Sequence, residues 1–308
     1  MKRLLLCLLT CTAFTTPLTT TQAADEIGYN RQEDVIYGRK YGVALTMDVF
    51  TPNKDANGAG IIIVISGGWF SGHDAINPEF VKPFTKRGYT VFTVVHGSQP
   101  KFTIPEILED MNRAVRFIRH HAKDYKVDPD RLGITGGSAG GHLSLMQGTA
   151  GTKGDPKAKD PVDRESSRVQ AVACFFPPTD FLNYGAKGKD AIGRGVLADF
   201  KAAFDFKEWD KDKKCFVSVT DEEKILEMGK KISPIYFVTA ETPPTLIIHG
   251  DADKLVPIQQ AESIRDRLKE EKVPCELVVK KGQGHGWADL VKDLDTFADW
   301  FDQHLKKK

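Results

Sequence analysis

A serine in a glycine-rich segment is the first residue whose setting suggests chemistry. Ser138 lies between Gly136 and Gly140, and this spacing is typical of a nucleophile elbow, the sharp strand-to-helix turn that exposes a serine hydroxyl. The apolar run 131–135 predicts the strand before the turn, and residues 139–148 predict the helix after it. The first N–H groups of such a helix point at an oxygen beside the hydroxyl. The alternative is a glycine-rich turn with a structural role alone.

A serine nucleophile needs a base to take its proton and a carboxylate to orient that base. His285, with glycine on both sides, follows the predicted strand 276–280 and is the predicted base. The alternative for this histidine is a structural hydrogen bond in a loop. Asp251 and Asp253 follow the predicted strand 245–249, and Asp253 is preferred because it stands further from the strand end.

The elements around these residues predict an α/β fold. Residues 34–49 predict an antiparallel hairpin, and the β-branched run Ile61–Ile65 is typical of a parallel strand buried on both faces. Strand and helix then alternate, with predicted strands at 90–95, 131–135, 169–176, 245–249 and 276–280 and predicted helices at 78–87, 105–125, 257–272 and 287–305. The result is a mostly parallel sheet with helices on both faces. Loops at the carboxyl ends of its strands share one edge, where the candidate residues would meet.

One connection is too long for an ordinary loop. The stretch 183–243 separates two successive predicted strands, and Thr220-Asp-Glu-Glu223 predicts a helix start within it through a capping box. A long insert beside an active edge is a candidate lid or substrate-binding cap. The alternative is a surface elaboration without a role at the site.

The first 24 residues have the pattern of a signal peptide. Lys2 and Arg3 precede the apolar stretch Leu4–Phe14, which is too short to span a bilayer, and Thr21-Gln22-Ala23 supplies small residues for cleavage. We therefore expect residues 25–308 to form one hydrolase domain, without a membrane span, in the periplasm or outside the cell.

Charge and cysteine content exclude several classes of function. The chain has 43 basic and 42 acidic side chains, interspersed along its length, which argues against a nucleic-acid surface and an electrostatic membrane anchor. Cys174, Cys215 and Cys275 remain after removal of the signal peptide, so at most one internal disulfide can form. Their spacing matches no zinc pattern, and we predict neither a metal nor a cofactor.

With these residues identified, the chain resembles the α/β-hydrolase superfamily from about Asp34 to its end. Within that fold it looks like secreted bacterial feruloyl and acetyl esterases and their carboxylesterase and hormone-sensitive-lipase relatives. The resemblance is carried by Asp128-Pro-Asp-Arg131 leading into Gly136-Gly-Ser-Ala-Gly-Gly-His142, by His249-Gly-x-x-Asp253-x-x-Val-Pro257, and by Gly284-His-Gly286. In relatives with the second motif the catalytic acid is the later aspartate, which supports Asp253. The order Ser, Asp, His is also the one expected of this fold.

The resemblance also locates an oxyanion hole, with one departure. Such esterases often have His-Gly-Gly-Gly-Trp after the strand that precedes the first helix, and here the segment reads Ile65-Ser-Gly-Gly-Trp69. The resemblance implies that the N–H groups of Gly67, Gly68 and Ala139 hold the oxyanion. Ile65 cannot form the hydrogen bonds through which a histidine orders this loop. Trp69 either lines the acyl side of the pocket or packs against it.

These inferences predict an exported serine esterase that forms an acyl-enzyme on small-molecule or polysaccharide-linked esters. Ser138 is the nucleophile, His285 the base and Asp253 the acid. One alternative is a peptidase of the prolyl oligopeptidase type, which shares the catalytic half but usually has a propeller before it. A second alternative is a binding protein that keeps the fold without the chemistry.

Overall fold

The computed structural model describes residues 28–306, so the predicted signal peptide, residues 1–24, lies outside the described residues. The strands are β1 (Tyr29–Lys40), β2 (Val43–Pro52), β3 (Gly60–Ile65), β4 (Thr90–Val95), β5 (Leu132–Gly137), β6 (Ala171–Phe175), β7 (Lys207–Asp210), β8 (Cys215–Ser218), β9 (Thr245–Gly250) and β10 (Cys275–Lys280). An eight-stranded sheet with the order β1-β2-β4-β3-β5-β6-β9-β10 forms the centre of the fold. Strands β1 and β2 form the antiparallel hairpin, and from β4 to β10 the neighbouring strands run parallel.

Helices cover both faces of the sheet. They are α1 (Lys82–Thr85), α2 (Ile104–His120), α3 (Ala139–Ala150), α4 (Glu222–Lys231), α5 (Gln259–Glu270) and α6 (Leu294–Leu305). Alternate side chains of β3 enter opposite cores: Ile62 and Val64 join the core with α2, α3 and α5, whereas Ile61 and Ile63 join the core with α1 and α6. A strand buried on both faces requires the apolar run that the sequence shows.

Four predicted helices are shorter than expected, among them the one predicted at 257–272, which covers Gln259–Glu270. The helix predicted at 105–125 ends at His120, and the one predicted at 78–87 is a 3₁₀ turn followed by α1. Pro83 lies at the start of α1, because proline has no N–H to continue a helix already under way. The closing helix begins at Leu294 rather than Trp287, whose indole N–H instead donates to the Asp293 carboxylate at 2.6 Å.

The insert, residues 183–243, contains a 3₁₀ segment at Gly195–Phe204, the two-stranded sheet β7–β8, and α4. The predicted capping box does not form, because the N3 residue after the actual cap is Lys224, whose side chain has no acceptor. Asp221, not Thr220, caps α4, and its carboxylate accepts the Lys224 N–H at 3.0 Å. Within residues 28–306 the cysteines are free thiols, and no helix is long and apolar enough to cross a bilayer.

Candidate active site

Ser138 occupies a strained turn between β5 and α3. Its φ of +54° and ψ of −119° lie where side chains are seldom found. A Cβ on Gly136 would lie 2.6 Å from the carbonyl group of Gly140, and a Cβ on Gly140 would lie 2.9 Å from the Val64 oxygen. Both positions therefore exclude any side chain. The segment adopts the elbow geometry that its glycines predict.

Three of the predicted side chains form a chain of hydrogen bonds at the carboxyl edge of the sheet. The His285 Nε2 lies 2.9 Å from the Ser138 Oγ, and its Nδ1 lies 2.7 Å from the Asp253 Oδ2. The Phe176 ring packs against the imidazole, with 4.5 Å between ring centroids. The topology brings together residues that are 147 positions apart in sequence.

The surroundings of Asp253 keep its carboxylate ionised. Burial acts to raise the pKa of Asp253, but hydrogen bonding from His249 and His285 and the N–H of Val256 outweighs burial and holds this pKa well below its ordinary value. An ionised carboxylate only accepts, so Nδ1 of His285 carries the proton and donates it. Nε2 is then the acceptor that faces the serine hydroxyl.

The structure distinguishes between the two candidate acids. Asp251 is exposed, accepts the Gly282 N–H at 2.6 Å and pairs with Lys281 at 3.2 Å. Asp253 is buried and touches the imidazole of His285. The preference for Asp253, made from its place in the loop, therefore agrees with the geometry.

The loop after β3 differs from the prediction at one residue. The Gly67 N–H donates to the Phe70 carbonyl at 3.0 Å, so the prediction that it faces an oxyanion is wrong in this geometry. Within residues 28–306, the N–H groups of Gly68 and Ala139 have no protein acceptor. These two remain available to a developing negative charge beside Ser138.

A buried glutamine from the loop after β4, Gln99, holds the segment Ile65–Trp69 in place. The Gln99 side-chain amide donates to the Gly68 carbonyl, and its backbone N–H donates to the Trp69 carbonyl at 3.2 Å. Ser71 adds a hydrogen bond from its hydroxyl to the Ile65 carbonyl at 2.6 Å. The sequence does not predict this role of Gln99, because nothing in a Ser-Gln-Pro loop indicates that the glutamine contacts a glycine thirty-one positions earlier.

Trp69 supports the loop and does not line the cavity. Its side chain is 1% exposed, and its indole N–H donates to the His142 Nδ1 at 3.2 Å. The His142 Nε2 therefore carries the proton and donates to the Ile232 carbonyl at 2.7 Å. Burial lowers the pKa of His142 to about 4, which keeps the ring neutral near pH 7. Of the two predicted roles for Trp69, packing is the one that the geometry supports.

Replacing Gln99 by leucine tests this support. The change keeps the side-chain size, removes the donor to the Gly68 carbonyl and frees the peptide beside the Gly68 N–H. We expect kcat for an ester to fall roughly tenfold to a hundredfold with KM little changed, because a loosened donor weakens transition-state binding more than substrate binding. Steady-state kinetics on the purified variant provide the measurement.

Gln147→Leu is the matched control. Gln147 is also buried and donates its amide to a backbone carbonyl, that of Ser167, but it lies outside the cavity. The Gln147→Leu variant should have a lower free energy of unfolding than the parent protein but the same kcat. Equal kcat values for the two variants would contradict the positioning role of Gln99.

A cavity of about 610 Å³ opens beside Ser138 and His285. Its walls are mostly apolar and include Phe176, which directly follows β6, and Phe200 from the insert. The Phe200 ring packs so closely on Gly68 that a Cβ there would lie 2.3 Å from it. The insert thus contributes directly to the cavity wall beside the loop after β3.

The described residues contain one cluster that could hold a cation, formed by Asp34, Asp48 and His73. The Arg31 guanidinium already binds the buried Asp48 carboxylate, with 2.9 Å from its Nε to Oδ2, and Asp34 contributes its N–H to the other oxygen at 3.0 Å. These contacts neutralise and occupy the carboxylate. We assign the cluster no ion.

Comparison with known proteins places most of the chain in one family. The BD-FAE family model matches residues 47–268. The probable carboxylic ester hydrolase LipM of Mycobacterium tuberculosis is 29% identical over 248 residues, which cover 79% of this chain and 52% of that protein. The chain thus spans about half the length of this relative.

Solved structures share the fold. A truncated form of a carbohydrate esterase from gut microbiota superposes with a TM-score of 0.73 at 25% identity, over 92% of this chain and 99% of that one. The thermophilic esterase Est2 of Thermogutta terrifontis gives a TM-score of 0.68 at 24% identity, over 90% of this chain and 94% of that one. The similarity to Est2 concerns the fold alone.

Proposed function

The chain belongs to the BD-FAE family of the α/β-hydrolase superfamily, and from this premise we propose that it is an exported serine hydrolase that cleaves carboxylic esters. The observation that carries the proposal is the hydrogen-bonded chain from Ser138 through His285 to Asp253 beside an open cavity. The names of LipM and of the gut esterase support ester hydrolysis as the reaction.

In the first half of the reaction, Ser138 Oγ attacks the ester carbonyl carbon while His285 Nε2 takes the hydroxyl proton. Asp253 stabilises the imidazolium that forms, since its carboxylate already accepts from Nδ1. The carbonyl oxygen becomes an oxyanion facing the N–H groups of Gly68 and Ala139. The tetrahedral intermediate collapses, and His285 passes its proton to the departing alcohol.

The second half repeats these steps with water. His285 Nε2 removes a proton from a water molecule, whose oxygen attacks the acyl carbon of the ester on Ser138. The same N–H groups stabilise the second oxyanion. Collapse releases the carboxylic acid, and the proton returns from His285 to the Ser138 oxygen.

Export is part of the proposal, and it is supported by residues 1–24. Their basic start, apolar stretch and small residues are those of a cleaved signal peptide. The substrate would then be met in the periplasm or outside the cell.

Labelling with a fluorophosphonate tests the proposal, because this reagent phosphonylates serines activated by a neighbouring base. The parent protein should be labelled, and Ser138→Ala, which lacks the nucleophile, should not. The label should appear in the periplasmic or culture fraction of expressing cells. Ser263→Ala, in which a serine on α5 is changed, serves as the control and should label like the parent.

A comparison of ester and amide substrates distinguishes an esterase from a peptidase. The labelled parent should hydrolyse p-nitrophenyl esters and leave peptidyl p-nitroanilides intact. Cleavage of the anilides at a comparable rate would favour a peptidase. A folded parent that takes no label would exclude the serine mechanism and favour the binding-protein alternative.

A further inference from the structure

The cavity beside Ser138 has an open mouth and a closed, buried end. Phe70 and Asn77 are exposed at the mouth, whereas Ile63, Val81 and Leu294 in the same wall are almost fully buried. Ile63 lies two residues before the end of β3, which places it about 7 Å below the sheet edge at ~3.3 Å per residue. The cavity therefore descends between the sheet and the layer formed by α1 and α6.

The order of events in an acyl transfer decides which part of the ester fits the closed end. The alcohol must leave and water must enter while the acyl group stays bonded to Ser138. An alcohol in the closed end would be trapped behind the acyl group and would obstruct water. The acyl group therefore belongs in the closed end, and the alcohol belongs at the mouth.

The walls of the closed end favour an acyl group without polar substituents. Ile63, Val81 and Leu294 offer no hydrogen bonds, and the lining residues level with Ile63 on the two neighbouring strands are Thr93 and Thr135. The Thr93 hydroxyl already donates to the Asp48 carbonyl at 3.3 Å. A hydroxylated aromatic acyl group that entered this end would lose its hydrogen bonds to water and would not regain all of them from the wall, which is unfavourable.

We propose that this closed end is an acyl subsite for medium-length aliphatic chains, so that hexanoyl or octanoyl esters are better substrates than acetyl or feruloyl esters. The proposal rests on the function proposed above. An acetyl group would leave most of the cavity unfilled. Each additional CH₂ that enters the apolar end should raise kcat/KM about fourfold, until the chain reaches the closed wall.

A series of p-nitrophenyl esters measures this preference with the leaving alcohol held constant. We expect kcat/KM to increase by roughly two orders of magnitude from acetate to hexanoate, with p-nitrophenyl ferulate below hexanoate. Butyrate esters of alcohols from methanol to octanol should differ little. A maximum at acetate, a preference for ferulate, or a dependence on alcohol length in place of acyl length would overturn the proposal.

Substitution of Val81 tests the position of the subsite. Val81→Phe fills the closed end and should lower the hexanoate-to-acetate ratio of kcat/KM at least tenfold. Val81→Ala, which avoids overpacking, should instead move the best chain length upward. Val115→Ala changes a buried valine in the other core and should keep the parent ratio. If both Val81 variants keep the hexanoate-to-acetate ratio of the parent protein, the assignment of the acyl subsite to this end of the cavity is refuted.

Failure of this inference can be told from failure of the proposed function. A protein that takes the fluorophosphonate on Ser138 and hydrolyses acetate, yet shows no increase with chain length, lacks the acyl subsite but keeps the mechanism. A protein that takes no label lacks the mechanism itself.

Discussion

Replacing His285 by alanine is expected to lower kcat for an ester by about 10⁶-fold. Its Nε2 is 2.9 Å from the Ser138 hydroxyl, and without it no base removes the serine proton or returns a proton to the alcohol. The remaining rate would come from the oxyanion donors and substrate binding. Turnover should be measured with an ester at saturating concentration, and fluorophosphonate labelling should be lost in parallel.

His121→Ala is the control for this change. His121 is on the protein surface, where its Nδ1 pairs with Asp124 at 2.9 Å, and its loss should leave kcat near the parent value. The other imidazole near the acid is that of His249, which is buried. Its Nε2 lies 2.8 Å from the Val256 carbonyl and 3.4 Å from the Asp253 carboxylate, so this nitrogen is a donor to these oxygens and not a base. More than about one hundredth of the parent rate in His285→Ala would mean that another base serves Ser138.

The features that the sequence predicts well are those that local rules determine. The run Ile61–Ile65 can be satisfied only by burial on both faces, and the elbow glycines exclude every side chain at their positions. The positions of Ser138, Asp253 and His285 after strand ends then follow from the common edge of a parallel sheet. Their convergence is a consequence of topology and needs no knowledge of side-chain contacts.

The features that the sequence does not predict depend on contacts between distant segments. Whether the Gly67 N–H faces the cavity depends on the hydrogen bond to Phe70 inside its own loop. The role of Gln99 depends on a loop after β4 returning to Gly68, and the burial of Trp69 depends on its bond to His142. Glycine and tryptophan in a motif indicate a loop but do not show which N–H or ring faces the substrate.

Replacing Asp253 by asparagine is expected to lower kcat about 10⁴-fold. The Asn side-chain amide can donate to the His285 Nδ1, which then becomes an acceptor and moves the ring proton to Nε2. A protonated Nε2 cannot accept from the Ser138 hydroxyl, so the base is present in the wrong tautomer. The structure should be retained, because Asn has the same shape.

Asp251→Asn changes the exposed aspartate of the same loop and should stay within about threefold of the parent kcat, since side chains outside the chemistry contribute little.

The pH dependence of stability tests the same carboxylate independently of catalysis. The pKa of Asp253 in the folded protein is held below its unfolded value of about 3.9. Its ionised form therefore stabilises the fold above that unfolded pKa, and this contribution is lost as the pH falls through the lowered folded pKa. The Tm difference between the parent and Asp253→Asn should be largest near pH 7 and should narrow as the pH falls below about 4. A difference that stays constant down to acidic pH, or a kcat close to the parent's, would show that the Asp253 carboxylate does not hold His285 as its ionised partner.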